Sequence, residues 1–124
     1  MVNKNNKHLR QKAQKTGRHA ETLAAWVLRL KGYRILARNF RHRAGEIYII
    51  ACKGGVLVFV EVKQRRRHGA GLDAVSPAQW QRIGAAAQAF VARHKGAQAM
   101  VWRFDFIGMG RFGWPRHLKA VWRF

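Results

Sequence analysis

The spacing of apolar residues changes near residue 17 and predicts regular structure over most of the chain that follows. Residues 1–16 are cationic and have almost nothing to bury, which is typical of a disordered arm. A first helix is predicted from about Arg18 to Lys31, ended by Gly32, because apolar residues recur at intervals of three and four. These residues are Ala20, Leu23, Ala24, Val27 and Leu30.

Strand-like alternation follows this helix. Apolar and basic residues alternate from Tyr33 to Arg38, which predicts a strand with Arg34 and Arg38 on a positive outer face. A basic, polar stretch over Arg41 to Ala44 is expected to form a loop.

A hairpin is the most strongly indicated element. Two runs rich in β-branched residues, Glu46–Cys52 and Val56–Lys63, flank the pair Gly54 and Gly55. A glycine pair between such runs favours a two-residue turn between antiparallel strands.

The second half of the chain begins with a helix signal. Ser76, Pro77 and Gln79 form a capping box with proline at the first helical position, so a helix is predicted over about Pro77 to Lys95. Strands are predicted over Gln98 to Ile107 and near His117 to Trp122. The order α-β-β-β-α-β-β predicts an α/β fold in which the second helix crosses over to a parallel strand of a mixed sheet flanked by helices. Residues 17–124 are expected to form one domain.

Charge indicates the class of partner. Lys and Arg number 25 against five Asp and Glu, a net charge of +20. Such a charge favours a nucleic acid, either DNA or RNA, with strongly salt-dependent binding, and makes an acidic membrane surface the weaker rival. The basic residues expected to contact nucleic acid lie in the first strand, in the loop after it and in an arginine run. They are Arg34, Arg38, Arg41, Arg43, Arg65, Arg66 and Arg67.

Cysteine content and the amino terminus bear on the compartment. The single Cys52 excludes an internal disulfide framework, and no signal-peptide pattern follows the cationic start, so the cytoplasm is expected.

The six histidines make no zinc spacing with Cys52, and no Walker loop or nucleophile elbow occurs. Aromatic residues near the carboxyl end permit a homodimer without requiring one.

The hairpin brings the scarce acids together. Counting outward from the turn, Lys53 faces Val56, Ile50 faces Phe59, Tyr48 faces Glu61, and Glu46 faces Lys63. The last four residues would then share one side of the sheet, where two carboxylates and a lysine suit a Mg²⁺ or Mn²⁺ ion that bridges protein and phosphate. The alternative is a cross-strand ion pair between Glu46 and Lys63, with Glu61 solvated.

Five ordered segments carry a family resemblance. They include Gly45-Glu46-Ile47-Tyr48, Phe59-Val60-Glu61-Val62-Lys63 and Arg103-Phe104-Asp105, together with Gly17–Ala24 and Tyr33–Phe40. The set resembles the YraN-like family of uncharacterised endonuclease-like bacterial proteins, within the PD-(D/E)XK nuclease superfamily. The resemblance implies a restriction-endonuclease-like core in which Glu21, the position of Tyr48, Glu61 and Lys63 handle metal and phosphate. Glu46, on the same face of the sheet, is expected to replace the carboxylate missing at Tyr48. The candidate catalytic residues are therefore Glu21, Glu61, Lys63 and Glu46, and the candidate metal ligands are Glu61, Glu46 and Glu21.

Two positions depart from the family's pattern. Tyr48 stands where the family has aspartate, and a phenol is a poor ligand for Mg²⁺ at neutral pH, so weak metal binding is expected. Gln79 stands where the family has lysine, and it either positions water or closes the capping box. Tyr48 itself either contacts nucleic acid or fills the vacated site.

Three functions remain open at this point. The chain is a metal-dependent endonuclease with a weakened site, a catalytically inactive nuclease-fold module that binds DNA or RNA, or an RNA-associated basic protein.

Asp105 is expected to pair locally with Arg103 rather than to bind metal. Three tryptophans, Trp80, Trp102 and Trp122, are expected in packing positions, and Trp114 is expected to be exposed.

Overall fold

A five-stranded mixed sheet with a helix packed on each face organises the computed structural model, which describes residues 19–63, 75–109 and 114–123. The first helix, α1, covers 19–30. Three strands follow it: β1 (Arg34–His42), β2 (Gly45–Lys53) and β3 (Val56–Lys63). Helix α2 (Pro77–Arg93) and a 3₁₀ helix (Lys95–Ala99) lead to β4 (Val101–Met109) and β5 (Pro115–Trp122). The predicted arm over 1–16 and the arginine run at 65–67 lie outside the described residues.

The strands lie side by side in chain order. The β3–β4 pair is parallel and the other three pairs are antiparallel, which confirms the predicted crossover through α2. Positive φ angles of 49° at Gly54 and 72° at Gly55 confirm the hairpin turn, because these angles are accessible to glycine at little cost. Lys53 pairs with Val56 and Ile50 with Phe59, as predicted.

Each face of the sheet has its own hydrophobic core. On the α2 side, Phe59 stacks on Phe104 with ring centroids 5.3 Å apart, and Phe90 of α2 meets Phe59 edge-on. On the α1 side, Ala24 and Leu28 pack on the valines of β3. Both faces of β3 are therefore covered, which explains its nearly continuous apolar sequence. Within the described residues, no helix is long and apolar enough to cross a bilayer.

The first strand corrects two predictions. It continues to His42, so Arg41 and His42 are not in a loop: they pair with Glu46 and Gly45 of β2. A register shift between Ile35 and Ala37 inserts one extra residue, and this bulge reverses the alternation of side chains. Arg34 lies opposite Cys52, which packs on the α2-side core, whereas Arg38 lies opposite Ile49 of the α1-side core. The two arginines therefore do not share a face.

Smaller details of the predicted helices, and the predicted start of β4, are wrong. Leu23 and Leu30 of the predicted apolar repeat are 45% and 83% exposed, and the buried stripe of α1 runs instead through Ala24, Ala25 and Leu28. Helix α2 ends two residues earlier than predicted, because His94 leaves helical geometry and the 3₁₀ helix begins. That 3₁₀ helix occupies the predicted start of β4, which begins at Val101 rather than Gln98.

Candidate functional site

The sheet splits between β2 and β3 at one end. The β2–β3 ladder reaches as far as Ile49 and Val60. Beyond this pair each strand keeps only its outer neighbour: Glu46 pairs with Arg41 of β1, and Glu61 pairs with Phe106 of β4. The predicted pairs of Tyr48 with Glu61 and of Glu46 with Lys63 are therefore not ladder pairs, and the two strands leave a fork there.

A pocket of about 230 Å³ opens at this fork and is closed on one side by α2. Strand β2 contributes Gly45, Glu46 and Tyr48, β3 contributes Glu61, and α2 contributes Gln79, Arg82 and Ile83. Three of the four residues predicted to form one patch thus line one pocket. Lys63 is not in its lining, but its Nζ lies 3.7 Å from Oε1 of Glu61.

Glu61 is the buried acid of the pocket. Its side chain is 1% exposed, and Oε1 has no hydrogen-bond partner among the described residues. Burial raises the pKa of Glu61 to about 7, Lys63 opposes this rise, and the charge of Glu46 adds to it. Glu61 is therefore not solvated, contrary to the alternative interpretation of the sequence, and its carboxyl group exchanges a proton near neutral pH.

Tyr48 is a neutral hydrogen-bonding group in this pocket. Its pKa is raised above 10.0 by burial first, and then by the charges of Glu61, Glu46 and Glu21. The phenol therefore keeps its proton at neutral pH and can donate a hydrogen bond. It cannot supply the negative charge that an aspartate would bring to the same position.

Glu21 is held by hydrogen bonds on the α1 side of the sheet. Its side chain is 3% exposed, and Oε1 accepts hydrogen bonds from Arg38 Nε at 3.0 Å and Asn39 Nδ2 at 3.1 Å. Asn39 has a positive φ of 53°, which asparagine tolerates better than most residues. This arrangement places Glu21 close enough to act on the pKa of Tyr48, but not in the pocket lining.

Glu46 lies at the rim of the pocket. Its side chain is 64% exposed, and its ion pair is with Arg41 Nε at 3.7 Å. The predicted alternative, an ion pair between Glu46 and Lys63, is wrong, because the fork separates the two strands and Lys63 lies beside Glu61. An exposed pair of this length contributes little to stability, so Glu46 is free to exchange Arg41 for another cation.

Helix α2 brings its first turns to the pocket. Ser76 Oγ accepts a hydrogen bond from Gln79 N at 3.1 Å, which confirms the predicted cap. The Gln79 side chain lines the pocket and makes no reciprocal capping bond among the described residues. The reciprocal half of the predicted capping box is therefore not formed among the described residues, and the positioning of water by Gln79 stays a prediction.

Gly45 and Arg82 are residues of this pocket that sequence reasoning missed. A Cβ at Gly45 would lie 2.5 Å from the backbone O of Arg82, so only glycine allows β2 to lie this close to α2. The signal for Gly45 was its place before Glu46 in the quoted motif. The sequence does not mark Arg82 as a residue of the pocket, because exposed arginines are common on helices.

A second polar cluster lies at the β4–β5 pair. Asp105 is fully buried, and it receives two hydrogen bonds of 2.8 Å from Arg103 and lies 2.7 Å from Nε2 of His117. Burial alone would raise the pKa of Asp105, but the hydrogen bonds from His117, Arg103 and the Ala120 amide lower it. The predicted structural pair of Asp105 with Arg103 is confirmed.

The predicted packing of three tryptophans and the predicted exposure of a fourth are confirmed. Trp80 is 3% exposed and stacks on the partly buried Trp122, with ring centroids 6.3 Å apart. Trp102 packs against the α2-side core, whereas Trp114 is 76% exposed.

The basic residues predicted to contact nucleic acid are distributed unevenly. Arg34, Arg41 and Arg43 are exposed. Arg38 is exposed as well, but its side chain is only 37% accessible and is engaged with Glu21 and with Thr22 Oγ1, which lies 3.1 Å from its Nη2. Its first role in this structure is therefore to hold α1 against β1.

The fold and the pocket define a mixed α/β domain with a buried acid at a split in its sheet. The chain belongs to the uncharacterised protein family UPF0102, whose sequence profile matches residues 20–109. This match confirms the YraN-like resemblance.

Relatives of this family cover nearly the whole chain. A UPF0102 protein of Rhizobium johnstonii is 47% identical over 109 residues, covering 88% of this chain and 89% of that protein. A UPF0102 protein of Mesorhizobium japonicum is 44% identical over 110 residues, covering 89% of this chain and 88% of that protein. One of Paramagnetospirillum magneticum is 41% identical over 117 residues, covering 91% of each.

Proposed function

We propose that this protein binds DNA and cleaves its phosphodiester bonds slowly, with a divalent metal ion bound weakly at the fork pocket. The observation that carries the proposal is Glu61: a buried carboxylate oxygen without a hydrogen-bond partner among the described residues, beside Lys63 and at a pocket open to ligands. Lys63 compensates the charge of Glu61 in part, from 3.7 Å, and a cation in the pocket would compensate it further.

The donor set fits a weak site for a hard cation. Glu61 and Glu46 would hold Mg²⁺ or Mn²⁺, which accepts one or two carboxylates and fills its other positions with water and substrate oxygens. No group of three or more acidic, histidine or cysteine side chains converges in the part of the chain that the structure describes, so the proposed site relies on two protein carboxylates, Glu61 and Glu46. When bound, the cation would polarise the phosphoryl group and lower the pKa of a bound water.

The surrounding side chains would act on the substrate directly. Lys63, which is 31% exposed, would stabilise negative charge on the phosphate. The protonated Tyr48 would donate a hydrogen bond to a phosphate oxygen or to the attacking water. The Gln79 amide would orient the same water.

Binding of nucleic acid is supported by charge. The net charge of +20 and the exposed arginines of β1 and the β1–β2 turn favour binding to a polyanion. The affinity is therefore expected to fall as the salt concentration rises. We propose the cytoplasm as its compartment and DNA as the preferred polymer, in a restriction-endonuclease-like fold.

A second candidate is a binding module that has lost catalysis. Tyr48 brings no charge to the pocket, and Glu21 is already committed to Arg38 and Asn39. If these two features prevent metal binding, the same fold would hold DNA through its basic surface alone.

One experiment separates the two candidates. Purified protein is incubated with duplex, single-stranded and branched DNA in Mg²⁺ or Mn²⁺, together with Glu61→Ala and Tyr48→Asp. Cleavage by the native chain that is lost in Glu61→Ala supports the enzyme. Native DNA binding without cleavage, with cleavage gained in Tyr48→Asp, supports the inactive module. Cleavage that persists in Glu61→Ala shows that the pocket is not the site.

A further inference from the structure

Among the described residues that line the fork pocket, Arg82 is the one with a cationic side chain. It lies on α2 one turn after Gln79, and its side chain is exposed while the adjacent Ile83 is buried in the α2-side core. The other charged residues of the lining are Glu46 and Glu61. A phosphate that enters the pocket thus meets two acids and one guanidinium.

The neighbouring cations are already paired. Lys63 lies 3.7 Å from Glu61, and Arg41 lies 3.7 Å from Glu46. The Arg82 side chain makes no hydrogen bond or ion pair with any residue that the structure describes. Within the described residues its guanidinium therefore has no bond to break before it binds an incoming anion, and arginine matches the geometry of two phosphate oxygens.

The backbone of Arg82 is held at a fixed distance from the strand that carries Glu46 and Tyr48. The Cβ position at Gly45 lies 2.5 Å from the O of Arg82 and 2.8 Å from its carbonyl carbon, so the two backbones are in direct contact. Because close-packed backbones do not shift independently, the start of the Arg82 side chain is fixed relative to Glu46 and Tyr48 of β2. Such fixed placement is what a substrate-binding residue requires.

We propose that Arg82 binds the phosphate group of the nucleic acid that enters the fork pocket and so aligns it with Glu61. This inference rests on the proposed function, and it assigns α2, through Arg82, to recognition of the phosphodiester. The basic residues of β1 then contribute general attraction, whereas Arg82 makes the specific contact at the reacting phosphate.

The test compares two arginines of the same helix. Arg82→Ala and Arg93→Ala each remove one exposed charge from α2, and about 16 Å of helix separates the two positions. Arg82→Lys keeps the charge but cannot bind two oxygens in the fixed arginine geometry. Dissociation constants for a short DNA duplex are measured by fluorescence anisotropy over a range of salt concentrations, with far-ultraviolet circular dichroism as the check that each variant is folded.

We expect Arg82→Ala to weaken DNA binding at least tenfold and to reduce the slope of log K against log salt by about one. Arg93→Ala is expected to change binding less than threefold, and Arg82→Lys to retain the native salt slope with intermediate affinity. Equal losses in Arg82→Ala and Arg93→Ala would overturn the inference and leave the proposed function standing. If the native protein does not bind DNA, the proposed function itself fails.

Discussion

Glu61→Gln should make the protein more stable at neutral and alkaline pH, although it alters a residue of the proposed site. Burial raises the pKa of Glu61 from 4.5 to about 7 in the folded chain. Each tenfold change in a proton-dissociation constant corresponds to about 1.4 kcal/mol, so the ionised carboxylate costs the fold about 3 kcal/mol. Glutamine has nearly the shape of the protonated acid and carries no such cost.

The sign of the pH dependence follows from proton binding. Below pH 4.5 both the folded and the unfolded chain hold the proton on Glu61, and its contribution to stability is complete. As the pH rises from 4.5 to about 7, the unfolded chain releases the proton first, so the native protein loses stability relative to Glu61→Gln. Above this range the difference is constant at about 3 kcal/mol in favour of the variant.

Urea unfolding followed by tryptophan fluorescence, at pH values from 4.5 to 8 with a chelator present, measures this difference. Glu46→Gln is the matched control, because Glu46 is 64% exposed and the same substitution there should change stability by about 0.5 kcal/mol or less. Mg²⁺ at pH 8 should stabilise the native protein more than Glu61→Gln. If the difference in free energy of unfolding between the native protein and Glu61→Gln does not change across this pH range, Glu61 is not a desolvated acid of the pocket.

Three further predictions concern the groups around the site. Gly45→Ala should destabilise the fold by about 1–3 kcal/mol, measured by urea unfolding, because the new Cβ would meet the Arg82 backbone; unchanged stability would contradict the close contact. Asp105→Ala should cost about 3–5 kcal/mol by the same measurement, since Arg103 and His117 would lose a buried partner, and a loss below about 1 kcal/mol would show that the cluster is not structural. Ser76→Ala should lower the midpoint of thermal unfolding through a loss of about 1 kcal/mol, whereas Ser76→Asp, which can still cap α2, should not.

Local signals in the sequence predicted most of the fold. The glycine pair fixed the hairpin turn, and Ser76 with Pro77 fixed the start of α2, because each of these residues acts within a few positions of itself. The bulge near Leu36 could not be predicted, since it depends on how β1 pairs with β2. That bulge is the reason Arg38 reaches Glu21 while Arg34 points to the other face.

The site could be predicted only as far as its strands. Period-two alternation correctly brought Glu46, Tyr48 and Glu61 to one region, but it implied continuous pairing and missed the fork. The contribution of α2 to the pocket could not be predicted from the sequence. How a helix packs on a sheet depends on long-range contacts, and the residues next to Arg82 in the sequence do not indicate them.

The proposed metal site can be located directly in crystals of the protein with a short DNA duplex, soaked in Mn²⁺ and measured for anomalous scattering. Bond lengths of about 2.1 Å are usual for small divalent ions bound to oxygen. We predict an anomalous peak at about this distance from a carboxylate oxygen of Glu61, in the pocket between Tyr48 and Arg82, and its absence in crystals of Glu61→Gln. A peak that persists in Glu61→Gln, or DNA-bound crystals with no peak at the fork, would contradict the proposed site.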